Sequence, residues 1–325
     1  MEIYYFLGHE DFHPEELLEF AKAAEKAGFD GLFVSEHFNP WVADLGASGF
    51  AFSTLGAIAA QTEKIKLMTG VVTPLFRYHP AVVAQAAATI DRLSNGRFSL
   101  GVGTGEAINE VPLGFEFPAY KERSDRMRES LKIMRSLLSG EKLTFNGEFY
   151  KTSDVKLYSP PLHNIPIYMA AGGPKSAELA AEFADGIIVS VKDPREQIEK
   201  VINPAKEKRK QLKKSPLKVV ANRWSIYGKN KDEAWKALGP WRGLRAPGRN
   251  KEHDPQKLQE QADSLGREEI LSKYSLVSTP QDYIKTYFPL KEMGAEIIAI
   301  QTATSGDGKS LIEMLGREVV PELKK

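Results

Sequence analysis

The sequence contains no cysteine. Disulfides, thiol nucleophiles, iron–sulfur clusters and cysteine-bound zinc are excluded with it. It also lacks an excess of either charge: 44 Lys and Arg stand against 43 Asp and Glu, a net +1. A dedicated nucleic-acid binder carries a basic surplus, so that class is set aside. No apolar run comes near the ~18 residues of a membrane span, so no membrane partner is expected. The N-terminus, Met1-Glu2-Ile3-Tyr4-Tyr5-Phe6-Leu7, has no basic segment and does not read as a secretory signal. Short repeats and low-complexity tracts are absent as well. These absences predict a cytoplasmic protein whose partner is a small molecule.

What is present is alternation. Apolar residues make up 42% of the 325, enough for a sizeable core. Buried-type strands are predicted at 2–7, 30–35, 65–72, 97–102, 166–170, 186–191, 217–227 and 296–301. Helices fall between them, several opened by a proline: from Pro14, at 50–61, from Pro80 to residue 93, at 119–138, from Pro174, and at 194–213. The spacing continues with a helical region over 231–272 broken by Pro240, Pro247 and Pro255, then helices at 280–293 and 309–321. Residues 144–159 form a polar excursion. Continuous apolar strands, each paired with a helix, predict a parallel sheet covered by helices. Eight such units predict a (β/α)8 barrel over residues 1–325, one catalytic domain with insertions.

Barrels carry function at the C-terminal ends of their strands. Read there, the chain offers Gly8-His9-Glu10, Glu36-His37-Phe38-Asn39-Pro40-Trp41, Thr69-Gly70-Val71-Val72-Thr73 and Gly101-Val102-Gly103-Thr104-Gly105-Glu106. Ala170-Ala171-Gly172-Gly173-Pro174 and Ser190-Val191-Lys192 follow. Glu10, His37 and Glu106 converge on one mouth, a set suited to general acid–base work or to a satisfied structural pair. A carboxylic acid desolvated beside Trp41 would have a raised pKa and hold a proton at neutral pH. Glu36, His37 and Glu106 lack the spacing of a known metal motif, so no metal is expected. Gly172-Gly173 before a proline-opened helix reads either as a phosphate cradle or as a plain turn.

Longer words carry more. Val34-Ser35-Glu36-His37-Phe38-Asn39-Pro40-Trp41, Thr73-Pro74-Leu75-Phe76-Arg77-Tyr78-His79-Pro80 and Gly101-Val102-Gly103-Thr104-Gly105-Glu106-Ala107-Ile108-Asn109-Glu110 resemble the luciferase-like flavin and deazaflavin oxidoreductases. Within them they resemble most the branch of coenzyme F-420-dependent glucose-6-phosphate dehydrogenases. Ala170-Ala171-Gly172-Gly173-Pro174 and Ala184-Asp185-Gly186 fit the same branch. The resemblance covers nearly the whole chain and is weakest over 192–275.

The resemblance implies a luciferase-like (β/α)8 barrel, a homodimer, and coenzyme F-420, an 8-hydroxy-5-deazaflavin, across the barrel mouth. Glu36 matches a family Asp that contacts the cofactor, with one methylene more. Gly70-Val71 matches a non-prolyl cis peptide behind the deazaflavin ring. Thr73, Thr104, Glu106 and Asn109 match cofactor-contacting positions. Ala170, Ala171, Gly172 and Gly173 match the backbone around its phosphate. At the reacting centre the family places the counterparts of His37, Trp41 and Glu106, with Glu10 a further acid. In one mechanism His37 takes the substrate hydroxyl proton while hydride passes to C-5, and Glu106 supplies a proton to the reduced cofactor. Ser190, Lys192, Arg249 and Lys273 align with the residues that hold a sugar phosphate. The implied reaction is oxidation of glucose 6-phosphate, or a similar sugar phosphate, at the anomeric hydroxyl. The rivals are a dehydrogenase of secondary alcohols or other hydroxylated metabolites using the same cofactor, an FMN-dependent monooxygenase, and a non-catalytic deazaflavin-binding protein.

Overall fold

The computed structural model describes residues 1–325. Eight parallel strands close on themselves: β1 (Glu2–Leu7), β2 (Gly31–Val34), β3 (Lys66–Thr69), β4 (Phe98–Val102), β5 (Ile167–Ala170), β6 (Gly186–Ser190), β7 (Lys218–Tyr227) and β8 (Ile297–Ala303). Each pairs in parallel with the next, and β8 returns to β1 through Glu2 opposite Ile297. This is the (β/α)8 barrel that the alternation predicts.

Side-chain alternation along the strands builds two cores. In β1, Tyr4 and Phe6 belong to a buried cluster inside the barrel with Phe33, Met68, Tyr168 and Val220. Ile3, Tyr5 and Leu7 belong to the larger cluster between strands and helices. A period of two along a strand sends neighbours to opposite faces, so a barrel strand is apolar throughout. The aromatic filling demands small partners. A Cβ on Gly31 would lie 2.4 Å from the Tyr4 ring, so β2 has to begin with glycine.

The outer layer comprises α1 (Pro14–Lys26), α2 (Ala51–Gln61), α3 (Pro80–Ser94), α4 (Tyr120–Leu138) and α5 (Pro174–Phe183), with others following β6, β7 and β8. Proline at the first helical position of α1, α3 and α5 fits a site whose N–H has no intrahelical acceptor. No helix is long and apolar enough to cross a membrane.

Two details depart from the sequence reading. The polar excursion is an antiparallel hairpin, Leu143–Asn146 with Lys151–Val155. The third strand stops at Thr69 and resumes only as a single bridge, Val72 with Val102. The Gly70–Val71 peptide between them is cis, as the resemblance implies.

The long β7–β8 connection folds back over the mouth as helical segments from Lys231 to Leu271. Arg242 straps it to the loop after β2, meeting Asp44 at 3.0 Å and Asp263 at 2.7 Å. Asn39 Nδ2 donates to the His253 carbonyl at 3.4 Å. The segment that carries His37 and Trp41 is thereby held from above.

Candidate active site

A cavity of about 930 Å³ opens at the C-terminal ends of the strands. That size is at the upper end of ligand pockets. Its wall includes Glu36 and His37 after β2, then Gly70, Val71 and Thr73 after β3. Thr104, Glu106 and Asn109 follow β4, and Ala170, Ala171, Gly172 and Gly173 follow β5. Ser190 and Arg249 complete the set of candidates on the wall.

Four candidates are not on it. Glu10 and Trp41 lie one layer behind, 3% exposed each, against His37. Lys192 is exposed just beyond β6. Lys273 pairs with Glu269 at 2.8 Å, one helical turn away, with 40% of its side chain exposed. The structure therefore places both lysines expected at the substrate phosphate off the cavity wall. His9 is buried and structural, with Nδ1 2.8 Å from the Ser35 carbonyl and Nε2 2.9 Å from the Thr54 hydroxyl.

His37 is the centre of the arrangement. Its Nε2 lies 3.4 Å from Glu10 and 3.4 Å from Glu106, and its Nδ1 donates to the Asn39 carbonyl at 3.1 Å. Glu10 is fixed in turn by the Ser35 hydroxyl at 2.5 Å. Burial opposes the imidazolium, but the Glu10 and Glu106 carboxylates outweigh it and push His37 up to about 9. Glu106 moves the other way. Burial resists its ionisation, yet His37, Arg249 and Arg123 hold it below the usual carboxylate range. The expectation of a protonated carboxylic acid beside Trp41 is therefore corrected. Trp41 packs on the imidazole, ring centroids 5.0 Å apart, and at neutral pH the proton sits on His37.

Glu106 is the member that a ligand meets, with 42% of its side chain exposed. Arg249 Nη1 stands 3.8 Å from it, and the guanidinium lies 5.9 Å from the centre of the Trp41 ring. Asn109 has its carbonyl end committed to the N–H groups of Phe38 at 2.9 Å and Asn39 at 3.4 Å. Its amide N–H₂ therefore carries any bond made toward the cavity.

At the opposite end, Gly172 and Gly173 precede α5. Their N–H groups converge on the Ser176 hydroxyl at 3.1 and 3.2 Å. Both glycines face open space: a Cβ on either would meet nothing within 4 Å. The N–H groups of a helix's first turn have no intrahelical acceptor, and Lys175 adds a cation to the wall. An anionic group fits this end.

The wall also holds polar atoms with no partner. The Tyr120 hydroxyl, Gln197 Oε1 and Asn222 Oδ1 are buried and unpaired, and all three residues line the cavity. Unmade hydrogen bonds beside one cavity suit a polar ligand. Sequence reasoning missed these three. Asn222 gave a usable signal, a polar residue inside an apolar strand, whereas Tyr120 and Gln197 gave none.

Comparison with known proteins agrees with this geometry. The sequence profile of the family described as luciferase-like monooxygenase matches residues 1–296. An F420-dependent glucose-6-phosphate dehydrogenase of Microbacterium testaceum is 35% identical over 327 residues, covering 99% of this chain and 97% of its own. The F420-dependent glucose-6-phosphate dehydrogenase of Mycolicibacterium gilvum is also 35% identical, over 100% of this chain and 98% of its own. The solved structure of an F420-dependent secondary alcohol dehydrogenase in complex with an F420–acetone adduct superposes with a TM-score of 0.92. It is 31% identical, covering 100% of this chain and 99% of that one.

Proposed function

This chain belongs to the luciferase-like monooxygenase family, and from that premise we propose that it is a coenzyme F-420-dependent dehydrogenase acting on CH–OH donors. The observation that carries the reading is the His37–Glu10–Glu106 cluster, which meets through His37 and Glu106 a cavity whose other end is an open glycine cradle. Gly172, Gly173, Ser176 and Lys175 would hold the cofactor's phosphate. Glu36, Thr73, Thr104 and Asn109 would line its ring. When bound, coenzyme F-420 supplies a two-electron hydride acceptor.

The chain's own part is proton handling. A substrate hydroxyl facing His37 Nε2 gives its proton to the neutral imidazole as the alcohol is oxidised. The imidazolium so formed is stabilised by Glu10 behind it. In the reverse direction the same imidazolium protonates the carbonyl oxygen. Glu106, reachable from the cavity and held as a carboxylate, is the second proton-transfer site. Trp41 limits the travel of the imidazole and keeps water from its buried face.

For the substrate we propose glucose 6-phosphate, or a similar sugar phosphate, oxidised at the anomeric hydroxyl. The full-length relatives at 35% identity support it, as do Arg249 and Ser190 on the cavity wall. A second reading, a small secondary alcohol, is favoured by Lys192 and Lys273 standing off that wall. One assay separates them. Purified protein is mixed with oxidised coenzyme F-420 and either sugar phosphates or 2-propanol, and deazaflavin absorbance is followed. Turnover with 2-propanol and with no sugar phosphate would overturn the first reading. No turnover with any alcohol would overturn both.

A sugar phosphate is charged and retained inside the cell, which supports a cytoplasmic site of action. A homodimer is supported by the surface of α2 and α3. There an apolar groove of about 420 Å³ is flanked by Phe50, Val82 and Leu93, each about half exposed.

A further inference from the structure

Behind the cavity wall lies an ion cluster that the proton handling does not use. Arg77, in the connection from β3 to α3, donates from Nη2 to Glu36 and from Nη1 to Glu110. Its backbone N–H also reaches Glu110 at 3.4 Å. The Tyr78 hydroxyl donates to the other Glu36 oxygen at 3.1 Å. The side chains of Arg77, Glu36 and Glu110 are 5%, 3% and 0% exposed.

This cluster is poorly built for stability alone. Burying ions is unfavourable relative to apolar packing, and here two carboxylates share one guanidinium. Arg77 Nε is left buried without a partner. The placement is informative. Glu36 is the one member on the cavity wall. Glu110 closes the short helix Ala107–Glu110, which also carries Asn109 and follows Glu106 directly. The cluster thus ties the segment of Glu36 and His37 to the segment of Glu106 and Asn109.

We infer that Arg77 and Glu110 are positioning residues for the cofactor: Arg77 divides its guanidinium between Glu36 and Glu110, and the charge on Glu110 sets how firmly Glu36 is held at the wall. This rests on the reading that Glu36 contacts coenzyme F-420. Burial drives Glu110 up to about 7 against the pull of Arg77, so its charge changes in the neutral range. The groups that face it are Arg77 from the β3 connection, Glu36 and His37 from the end of β2, and Tyr150 from beyond the hairpin. Below that point Glu36 is the only carboxylate whose charge Arg77 balances, and neutral Glu110 still accepts from it. Above it, Glu110 competes for the guanidinium and adds negative charge beside an anionic ligand.

The test is binding of oxidised coenzyme F-420 to the full chain, read by deazaflavin fluorescence from about pH 6 to 8.5, for wild type, Glu110→Gln and Arg77→Lys. Thermal melting checks that each variant folds. Wild-type Kd should rise ~5-fold across that range, while Glu110→Gln stays near the low-pH value. The ratio of the two cancels any titration of the cofactor itself. Arg77→Lys, whose ammonium cannot bridge two carboxylates in a fork, should raise Kd ~10-fold or more. A carboxyl NMR titration of the ligand-free protein should show Glu110 titrating near neutrality. Wild type that binds, with a Glu110→Gln variant that keeps the wild-type pH dependence, would overturn this inference and leave the functional reading standing. Wild type that binds no coenzyme F-420 at any pH would overturn both.

Discussion

Replacing Glu10 by Gln is the sharpest perturbation of the proton cluster. Glu10 touches His37 from behind and is not on the cavity wall, so the change alters charge without altering the ligand surface. Gln keeps an oxygen that can accept from the Ser35 hydroxyl. The rise of His37 from its ordinary value to about 9 corresponds to ~3.4 kcal/mol in favour of the imidazolium. Burial opposes that sum, so the two carboxylates together contribute more than it. They stand at equal distance, 3.4 Å each. The Glu10 charge is the largest single favourable contribution, ahead of Glu106 and the Asn39 carbonyl, so removing it should bring His37 down by about one unit or more, to about 8.

At pH 7 the neutral imidazole then grows from ~1% of molecules to ~10% or more. Alcohol oxidation needs Nε2 unprotonated, so its kcat/KM profile should move acidward by about one pH unit or more. Carbonyl reduction needs the imidazolium, and its loss at high pH should begin at about 8 rather than near 9. The assay pairs deazaflavin absorbance in both directions with an NMR titration of the imidazole C–H signals. The signal of His37 is identified among the six histidines by its loss in His37→Ala. A Glu10→Gln variant whose His37 still titrates near 9, or whose two profiles stay in place, would refute the charge argument.

Gly173 has extended backbone, φ −171°, and open space above it, so Gly173→Val should leave the melting temperature unchanged. The new side chain occupies ligand space, and cofactor Kd measured by fluorescence should rise ~10-fold or more. Arg249→Ala should raise KM for a sugar phosphate by ~10-fold or more, while Lys273→Ala, on an exposed pair, should leave it within ~2-fold. Groups whose pKa is raised in the folded chain contribute stability that is lost as pH rises. Asp11, buried beside the Trp241 indole, and Glu110 both titrate near 7 in the folded chain, so folding holds protons that the unfolded chain releases from about pH 4 upward. His37 extends the loss from about 6.5 to 9, and Asp11→Asn should flatten the lower part of a melting-temperature profile. Leu93→Glu on α3 should convert a dimer to monomers in sedimentation; a wild type that sediments as a monomer would remove the dimer reading.

Much of the fold was legible because a barrel strand is buried on both faces and its sequence is therefore apolar throughout. The hairpin at 143–155 was not legible, since its strands are half-buried and rich in polar residues. The reach of the third strand was overread. Val71 and Val72 continue the apolar run of 65–69, but apolar character does not report whether a ladder continues, and here it stops at Thr69. The region from 231 to 271 was legible only as broken helix. Its prolines mark the breaks, but nothing in the local pattern says which side chain turns into the mouth. Arg249 does, whereas Lys273 is taken by Glu269 on the surface.

The site was legible as a set of residues and not as a charge state. Strand ends converge in a barrel, so Glu10, His37 and Glu106 come together once the strands are counted. Where their shared proton rests depends on how many carboxylates touch one imidazole and on which group the tryptophan covers. Both carboxylates stand at 3.4 Å from the same nitrogen, and Trp41 covers the imidazole. The same logic governs the second layer. Arg77 and Glu110 stand in plain words of the sequence, in Phe76-Arg77-Tyr78 and Asn109-Glu110, yet neither falls at a strand end facing the cavity. Their significance lies in a count that only three dimensions supply, two buried carboxylates to one guanidinium. A near-zero net charge over 325 residues conceals both imbalances. The proton cluster holds one cation between two anions, and the positioning cluster behind Glu36 holds the same ratio. The second is kept apart from water, whereas the first opens to the cavity through Glu106. Because Glu36 and His37 are adjacent in the chain, Glu110 also faces His37, and Glu110→Gln should flatten the pH dependence of binding.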